Sequence, residues 1–372
     1  MRAEFSAART TCTSMGETDV LLLAVADLAQ DARTLNLASA LRASGLRVEC
    51  IGLDSFSVGE RAITRWRKFR QIVRQSLHNP RVVIAMDLFA LSAARDVSKQ
   101  CGAALLYDMR EFYFALGPLA NSRVRQFILA SHERLLLRSV RGVMVSGELD
   151  ADIVQRKFAL SEKPFVLLNT PPYTPVVEST LRMRLSDQIP AHSAIALYQG
   201  VVHHGRGLAP FMQALPLLEN VHLVVIGNGP AKHELQQAAH SFKVQHRVHW
   251  LEAVPYNELH PLTCGADLGL CLIEPVSMSY EYALPNKLFE YAMAGVPSLV
   301  TDLPALSDYA RRTGVAEVIP RTLQPQDIAS AVNTALSKDK LQYTTQIAEV
   351  AQRYSYEAQS ERAVAFVNRF LQ

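Results

Sequence analysis

The run Ala266-Asp267-Leu268-Gly269-Leu270-Cys271-Leu272-Ile273, a loop, and then Leu288, Tyr291, Ala292, Met293 and Val296 at helical spacing constrain this chain more than any other stretch. A short, nearly continuous apolar run reads as a parallel strand buried on both faces, and a strand passing through a loop into a helix belongs to a βαβ unit. Gly295 and Pro297 stop the helix, and Pro285 supplies the fixed φ that suits its start. The first backbone N–H groups, at Asn286 and Lys287, then face the loop beside the lysine's charge, which makes an anion site by geometry. An ordinary strand-to-helix turn has the same outline, so a function needs further features.

The same alternation runs along the chain. Val20 to Val25, Arg47 to Leu53, Arg81 to Met86, Ala103 to Asp108 and Gly142 to Val145 read as strands in the front half. A helix through Leu35, Leu37 and Leu41 ends at Gly45, giving the first right-handed βαβ unit of a doubly wound sheet. Asp87 and Asp108 close their strands at the carboxyl edge, where ligands gather in such sheets. The front half continues into Phe165-Val166-Leu167-Leu168 and the proline-rich segment Asn169 to Pro175, read as a linker. Behind it, Ala194 to Tyr198, Val221 to Ile226, His246 to Leu251 and Ser298 to Asp302 restart the pattern, the last being the final clear strand. The expected division is a tail over 1–19, domains over 20–170 and 181–353, a linker over 171–180 and a closing helical segment over 354–372.

At 372 residues, 49% hydrophobic and 20% charged, the chain suits a soluble protein of two domains. Five scattered cysteines without a C-x-x-C pair suggest neither a disulfide framework nor a zinc site, and fit a reducing cytosol. No secretory signal or membrane span is expected. The net charge of +3 is unevenly placed: residues 1–170 carry 23 Lys and Arg against 17 Asp and Glu, and residues 171–372 carry 15 against 18. A basic front half suits an anionic acceptor or a membrane surface, and nothing points to nucleic acid.

Three local patterns have two readings each. Residues 61–77 place Ile63, Trp66, Phe69, Ile72, Val73 and Leu77 on a stripe among Arg61, Arg65, Arg67, Lys68, Arg70 and Arg74. Such a helix can lie on anionic lipid or cover a sheet with a solvated basic face. Asp150-Ala151-Asp152 has the spacing of a metal-binding acid pair, but it opens a helix after Ser146-Gly147, and helix-end stabilisation is the expected role. Gly200 to Gly207 is a glycine-bearing loop in which Arg206 can pair with phosphate oxygens, while His203 and His204 are expected to be solvated.

Taken together, Gly200 to Pro297 resembles the donor-binding half of family-4 glycosyltransferases of the GT-B fold. Their motif is a glutamate, seven residues, a second glutamate, and a helix running into Ala-Gly-x-Pro. Glu290 matches the second glutamate; Tyr282 stands at the first, with Glu281 one place earlier. Asp31-Ala32-Arg33 and Asp108-Met109-Arg110-Glu111 resemble front-domain motifs, with Arg110 in the place of a histidine. The resemblance implies an α/β protein with two Rossmann-like domains facing a cleft and a C-terminal helix crossing back to the first. It also implies a retaining, metal-independent hexosyltransferase that needs no cofactor and takes a UDP- or GDP-linked sugar. The acceptor would be a glycan or a lipid-linked molecule at the cytoplasmic membrane face.

The residues implied are Arg206, Lys287 and Glu281 for catalysis. Gly200, Gly207, Asn228, Val254, Tyr282, Pro285, Asn286, Leu288 and Glu290 are expected at the donor, with Glu290 on the ribose. Asp31, Arg33, Asp108 and Arg110 are expected on the acceptor side. A sugar-nucleotide 2-epimerase and a non-catalytic GT-B subunit share the fold, and turnover with and without acceptor separates the three.

Overall fold

The computed structural model describes residues 18–28, 31–53, 62–76, 79–116, 119, 122–338 and 340–371. Two six-stranded sheets organise it, and every strand pairing described is parallel.

The first sheet is built from β1 (Val20–Asp27), α1 (Ala32–Ala43), β2 (Val48–Leu53), α2 (Ala62–Gln75), β3 (Val82–Ala85), α3 (Leu88–Cys101), β4 (Ala104–Met109), α4 (Arg123–Leu137), β5 (Gly142–Val145), α5 (Glu148–Phe158) and β6 (Phe165–Val166), in the order β2-β1-β3-β4-β5-β6. The second follows as α6 (Leu181–Arg184), β7 (Ala194–Gln199), α7 (Leu208–Ala214), β8 (Val221–Ile226), α8 (Lys232–Ser241), β9 (Val248–Leu251), α9 (Tyr256–Thr263), β10 (Leu268–Cys271), α10 (Met278–Glu281), α11 (Asn286–Met293), β11 (Ser298–Thr301), α12 (Pro304–Thr313), β12 (Ala316–Ile319) and α13 (Pro325–Ser337), in the order β12-β11-β10-β7-β8-β9. Helices α14 (Lys340–Arg353) and α15 (Tyr356–Asn368) end the chain.

By compactness the chain falls into two units. One comprises Met1–Asp108, Leu136–Val143 and Val364–Gln372; the other comprises Met109–Leu135 and Met144–Ala363. Within the first unit a Cβ at Gly142 would sit 2.8 Å from the Phe370 ring and 2.9 Å from the Phe366 ring, so the last residues pack closely on the start of β5.

In the second sheet the two-residue period of the strands sorts side chains into two cores. Ala196 and Tyr198 of β7, with Leu223 and Val225 of β8, join Phe211, Leu215, Ile328 and Val332 on one face. Ile195, Leu197, Val224 and Ile226 join Leu181, Leu262 and Tyr291 on the other. Burial on both faces is why these strands read as unbroken apolar runs.

Several sequence expectations shift. Ser298 to Asp302 is not the last strand: β12 follows it, its alternation interrupted by Glu317 and by an exposed Val318 on the edge. The strand expected from His246 starts at Val248, because Gln245–Arg247 form a 3-10 turn. Pro285 is the extended residue capping α11, with φ −72° and ψ 147°, and lies just outside the helix. Residues 1–17 of the expected tail are outside the described residues, whereas Thr18 and Asp19 are buried and Asp19 accepts from the Arg47 N–H at 2.9 Å. Arg61 and Leu77 of the basic stripe are likewise outside them; within α2, Phe69 and Val73 are buried.

Candidate donor site

Strand order locates the site. β7 pairs with β8 on one side and with β10 on the other, so the chain leaves β7 and β10 in different directions at their carboxyl ends. A crevice opens at such a switch point. The loop from Gly200 to Gly207 and the segment from Leu272 to Pro285 border it.

The Gly200 loop is held by backbone packing that only glycine permits. Gly200 has φ +116°, and a Cβ at Gly227 would lie 2.1 Å from the Gly200 carbonyl oxygen. Gly200 donates its N–H to Ile226 O at 3.0 Å, and Val202 donates to Asn228 O at 2.9 Å. At the far end Gly207 has φ +67°, and a Cβ there would lie 2.3 Å from Leu272 Cβ. Its N–H points to Glu274 Oε1 at 3.3 Å, and Glu274 N–H donates to Gly205 O at 3.0 Å. Arg206 is thereby fixed between two anchored glycines, its guanidinium 4.8 Å from the centre of the Tyr280 ring.

Helix α11 approaches the same place from beneath. Gly269 leaves room for Tyr291: a Cβ there would sit 2.3 Å from Tyr291 Cδ2. The Tyr291 hydroxyl reaches Leu197 O at 3.0 Å and Leu270 O at 3.2 Å, pinning the helix to β7 and β10. No side chain caps its N-terminus. Lys287, in the first turn, sets its Nζ 3.7 Å from the centre of the Tyr198 ring, and a Cβ on Gly200 would be 3.8 Å from that Nζ. Burial, helped by Arg206, pushes the Lys287 ammonium down to about 8, while Glu290 acts the other way. Tyr198 donates to Val201 O at 2.7 Å, and burial raises its hydroxyl to about 12. Arg206, Lys287, Gly200 and Glu290 therefore share one electrostatic neighbourhood.

Glu290, one turn further along, is held by residues that sequence reasoning did not single out. Gln199 Nε2 donates to Glu290 Oε2 at 2.6 Å, and Thr263 Oγ1 lies 2.8 Å from Gln199 Oε1, which orients the amide. The Tyr256 hydroxyl also donates to Glu290. Burial raises the Glu290 carboxyl despite these donors. Beside it lies a cavity of about 300 Å³ lined by Gln199, Tyr256, Asn257, His260, Thr263 and Glu290. The signal for Gln199 was in the sequence: it is a polar residue ending an apolar strand.

The remaining expected residues divide by what they touch. Asn228 is tied to Glu252 Oε2 at 2.7 Å and accepts from Lys232 Nζ at 2.7 Å. Val254 packs on the core around Tyr291, and Leu288 is fully buried, so any ligand contact from Leu288 is through its backbone. Pro285 and Asn286 stand at the start of α11. Glu281 ends α10, and the Tyr282 ring lies 6.0 Å from that of Phe112. Phe112 follows Glu111, whose carboxyl is raised by burial and drawn back by Arg206 and then Arg110. Glu111 is thus another residue not singled out, and its motif position beside Arg110 was its signal.

The residues expected on the acceptor side make contacts within the fold. Arg33 and Asp108 form a buried bidentate pair, Nε to Oδ2 and Nη2 to Oδ1 both at 2.7 Å. Asp31 caps α1, accepting from Thr34 N at 3.2 Å and Thr34 Oγ1 at 2.7 Å. The Arg110 carbonyl accepts from Ser146 Oγ at 3.1 Å. Asp87 accepts from Val25 N and Ala90 N, so this strand end also serves the fold. Asp150 sits in the first turn of α5 and accepts from Ser146 Oγ, while Asp152 pairs with Lys163 at 2.5 Å. His204 lies exposed, 3.4 Å from Glu234.

Residues 193–338 match the family model described as glycosyl transferases group 1, a span that includes every donor-side residue above. No curated protein matches the sequence. Among solved structures the chain is similar to sucrose-phosphate synthase from Thermosynechococcus elongatus, at 13% identity over 95% of this chain and 99% of that one, with a TM-score of 0.75. It is similar to Anabaena HepE in complex with UDP, at 15% identity over 95% and 100%, with a TM-score of 0.72. It is also similar to WaaG, a glycosyltransferase involved in lipopolysaccharide biosynthesis, at 16% identity over 94% and 99%, with a TM-score of 0.69. Likeness at these identities speaks to the fold, which is GT-B, and the resemblance to group 1 glycosyltransferases is borne out.

Proposed function

With the GT-B fold and the group 1 match as premises, we propose that this chain is a retaining glycosyltransferase that takes a hexose from a UDP- or GDP-linked donor. The observation that carries this reading is the convergence of Arg206, Lys287 and the uncapped start of α11 on the Gly200 loop, with Glu290 one turn behind. Anabaena HepE has been solved with UDP and with UDP-glucose, which supports a nucleotide sugar as the ligand.

In this reading Arg206 and Lys287 hold the diphosphate, and the amides of Asn286 and Lys287 complete the cradle. Glu290, kept in place by Gln199 and Tyr256, accepts from the ribose hydroxyls. The bond from the anomeric carbon to the diphosphate oxygen breaks and its electron pair stays on that oxygen. The acceptor oxygen bonds to the same face of the carbon, and its proton passes to the departing phosphate. Charge builds on the diphosphate as the sugar gains oxocarbenium character, so donors already aimed at that oxygen lower the barrier. The two side-chain cations and the helix start supply this stabilisation without calling on a metal or an organic cofactor.

The acceptor we assign is a glycan or lipid-linked molecule in cell-surface glycoconjugate synthesis at the cytoplasmic face, where nucleotide sugars are made. WaaG, named for lipopolysaccharide biosynthesis, supports that class.

The test is thermal shift against UDP, GDP and their sugars. A ligand at a hundred times its Kd adds about 2.7 kcal/mol, and Arg206→Ala is expected to abolish the shift. An unchanged shift removes the diphosphate assignment. Turnover of the sugar nucleotide into an epimer without acceptor would favour an isomerase, and binding without any turnover a non-catalytic subunit.

A further inference from the structure

Helix α4 turns an apolar stripe to water. Val124 is 70% exposed, Phe127 73%, Ile128 61% and Leu135 52%. With Ser131 among them they fall within roughly 100° of helix circumference, since successive residues turn by about that angle. A sheet-covering helix turns such a stripe inward. Here the inward side carries Glu133, Leu136 and Leu137, all buried, and Glu133 is the helix's one acidic residue. Arg123 and Arg134 flank the stripe on one side, and Arg125 and His132 on the other.

Helix α2, the more obvious basic amphipathic segment in the sequence, differs. It buries Phe69 and Val73, and among its described aliphatic residues Ile63 and Ile72 are exposed, at 52% and 38%. No described helix is long and apolar enough to cross a membrane, so contact with lipid would be made from the surface.

We propose that α4 is a membrane-docking helix, which seats Val124, Phe127 and Ile128 in the headgroup region of an anionic bilayer while Arg123 and Arg125 meet lipid phosphates. An exposed arc with apolar residues at its centre, arginines at both edges and no acid matches such a surface in polarity and charge. A second copy of the chain fits it less well, because a twofold contact sets each arginine rim against its own copy. Four side chains are also far fewer than the 20 to 30 residues a side, roughly, of a stable protein interface. The inference stands apart from the donor site, since vesicle binding needs no catalysis.

The experiment is co-sedimentation of the full chain with vesicles of phosphatidylcholine alone or mixed with phosphatidylglycerol, at low and high salt. Binding is expected only to the mixed vesicles and to weaken with salt. Phe127→Ser is expected to lower partitioning roughly tenfold, and Arg125→Gln about fivefold. Ile63→Ser on α2 should leave it unchanged. Melting temperatures check that these exposed substitutions leave the fold intact, and Ile128→Ser repeats the apolar arm at a second position. Equal pelleting with both vesicle types, or no loss in the α4 variants, overturns the proposal. So does a dimer that Phe127→Ser converts to monomer with pelleting unaltered, which would make the stripe a contact between copies.

Discussion

Lys287 has an ammonium enclosed beside Tyr198, Cys271 and Arg206, and its pKa falls from 10.5 to about 8 chiefly because burial penalises the charge. The sign of the consequence follows. Between pH 8 and 10.5 the unfolded chain holds a proton that the folded protein has released, so this group's contribution to stability rises with pH across that window. Diphosphate binding runs the other way, because the anion needs the charged lysine. Calorimetric affinity for UDP is expected to fall as pH rises through about 8, with proton uptake on binding near that pH. Lys287→Met should bind more weakly and lose this pH dependence. A wild-type affinity that is flat from pH 7 to 9 would separate Lys287 from the diphosphate.

At the scale of the element, the position of α11 depends on one missing methyl group. Gly269 lies in the middle of β10 under the Tyr291 ring, and a Cβ there would overlap ring atoms at 2.3 Å, 2.4 Å and 2.6 Å. The buried tyrosine cannot withdraw without losing its hydroxyl's contacts to Leu197 and Leu270. Gly269→Ala is expected to destabilise the protein by about 1–3 kcal/mol, the usual cost of overpacking. Because α11 carries Lys287 and Glu290, the same change should weaken UDP binding. Denaturant melts and UDP titration of this variant check both, and a variant of unchanged stability would show that α11 can move freely over the sheet. Tyr291→Phe should cost less, since the ring stays and only the hydroxyl's partners are lost.

For the molecule as a whole, the two compact units can be perturbed separately. The Arg33–Asp108 pair lies in the first unit with side chains only 6% and 0% exposed, and Arg206 and Lys287, the residues proposed to hold the diphosphate, lie in the second. Removing one partner of a buried ion pair costs about 3–5 kcal/mol. Arg33→Met is therefore expected to lower the melting temperature while leaving UDP affinity unchanged. A parallel loss of UDP affinity would place Arg33 in the donor site's support.

Much of this architecture could be read from residue order, because buried parallel strands announce themselves as short apolar runs and helices as three- and four-residue spacings. Gly142–Val145 and Val221–Ile226 were delimited correctly for that reason, and so was the helix start at Asn286. β12 was missed where edge exposure lets Glu317 and Val318 interrupt the run. The donor-side cluster was legible because its glycines, Arg206 and Lys287 lie in one motif-bearing stretch. Gln199 and Glu111 carried local signals, a polar strand end and a place in a motif, whereas Thr263 carried none, since it reaches Glu290 through Gln199 from another helix and no spacing links them. Asp31, Arg33 and Asp108 are expected on the acceptor side; the structure shows Asp31 capping α1 through nearby Thr34, and Arg33 bonded to Asp108 from a distant strand, a pairing that no local pattern announces. Local sequence thus determined which segments become strands and helices and where a helix starts without a side-chain cap, because propensity and periodicity act over a few residues. Only tertiary structure decided which charges are buried together, which side chains orient Glu290 and which helix leaves its apolar stripe in water, because burial depends on what packs against each face.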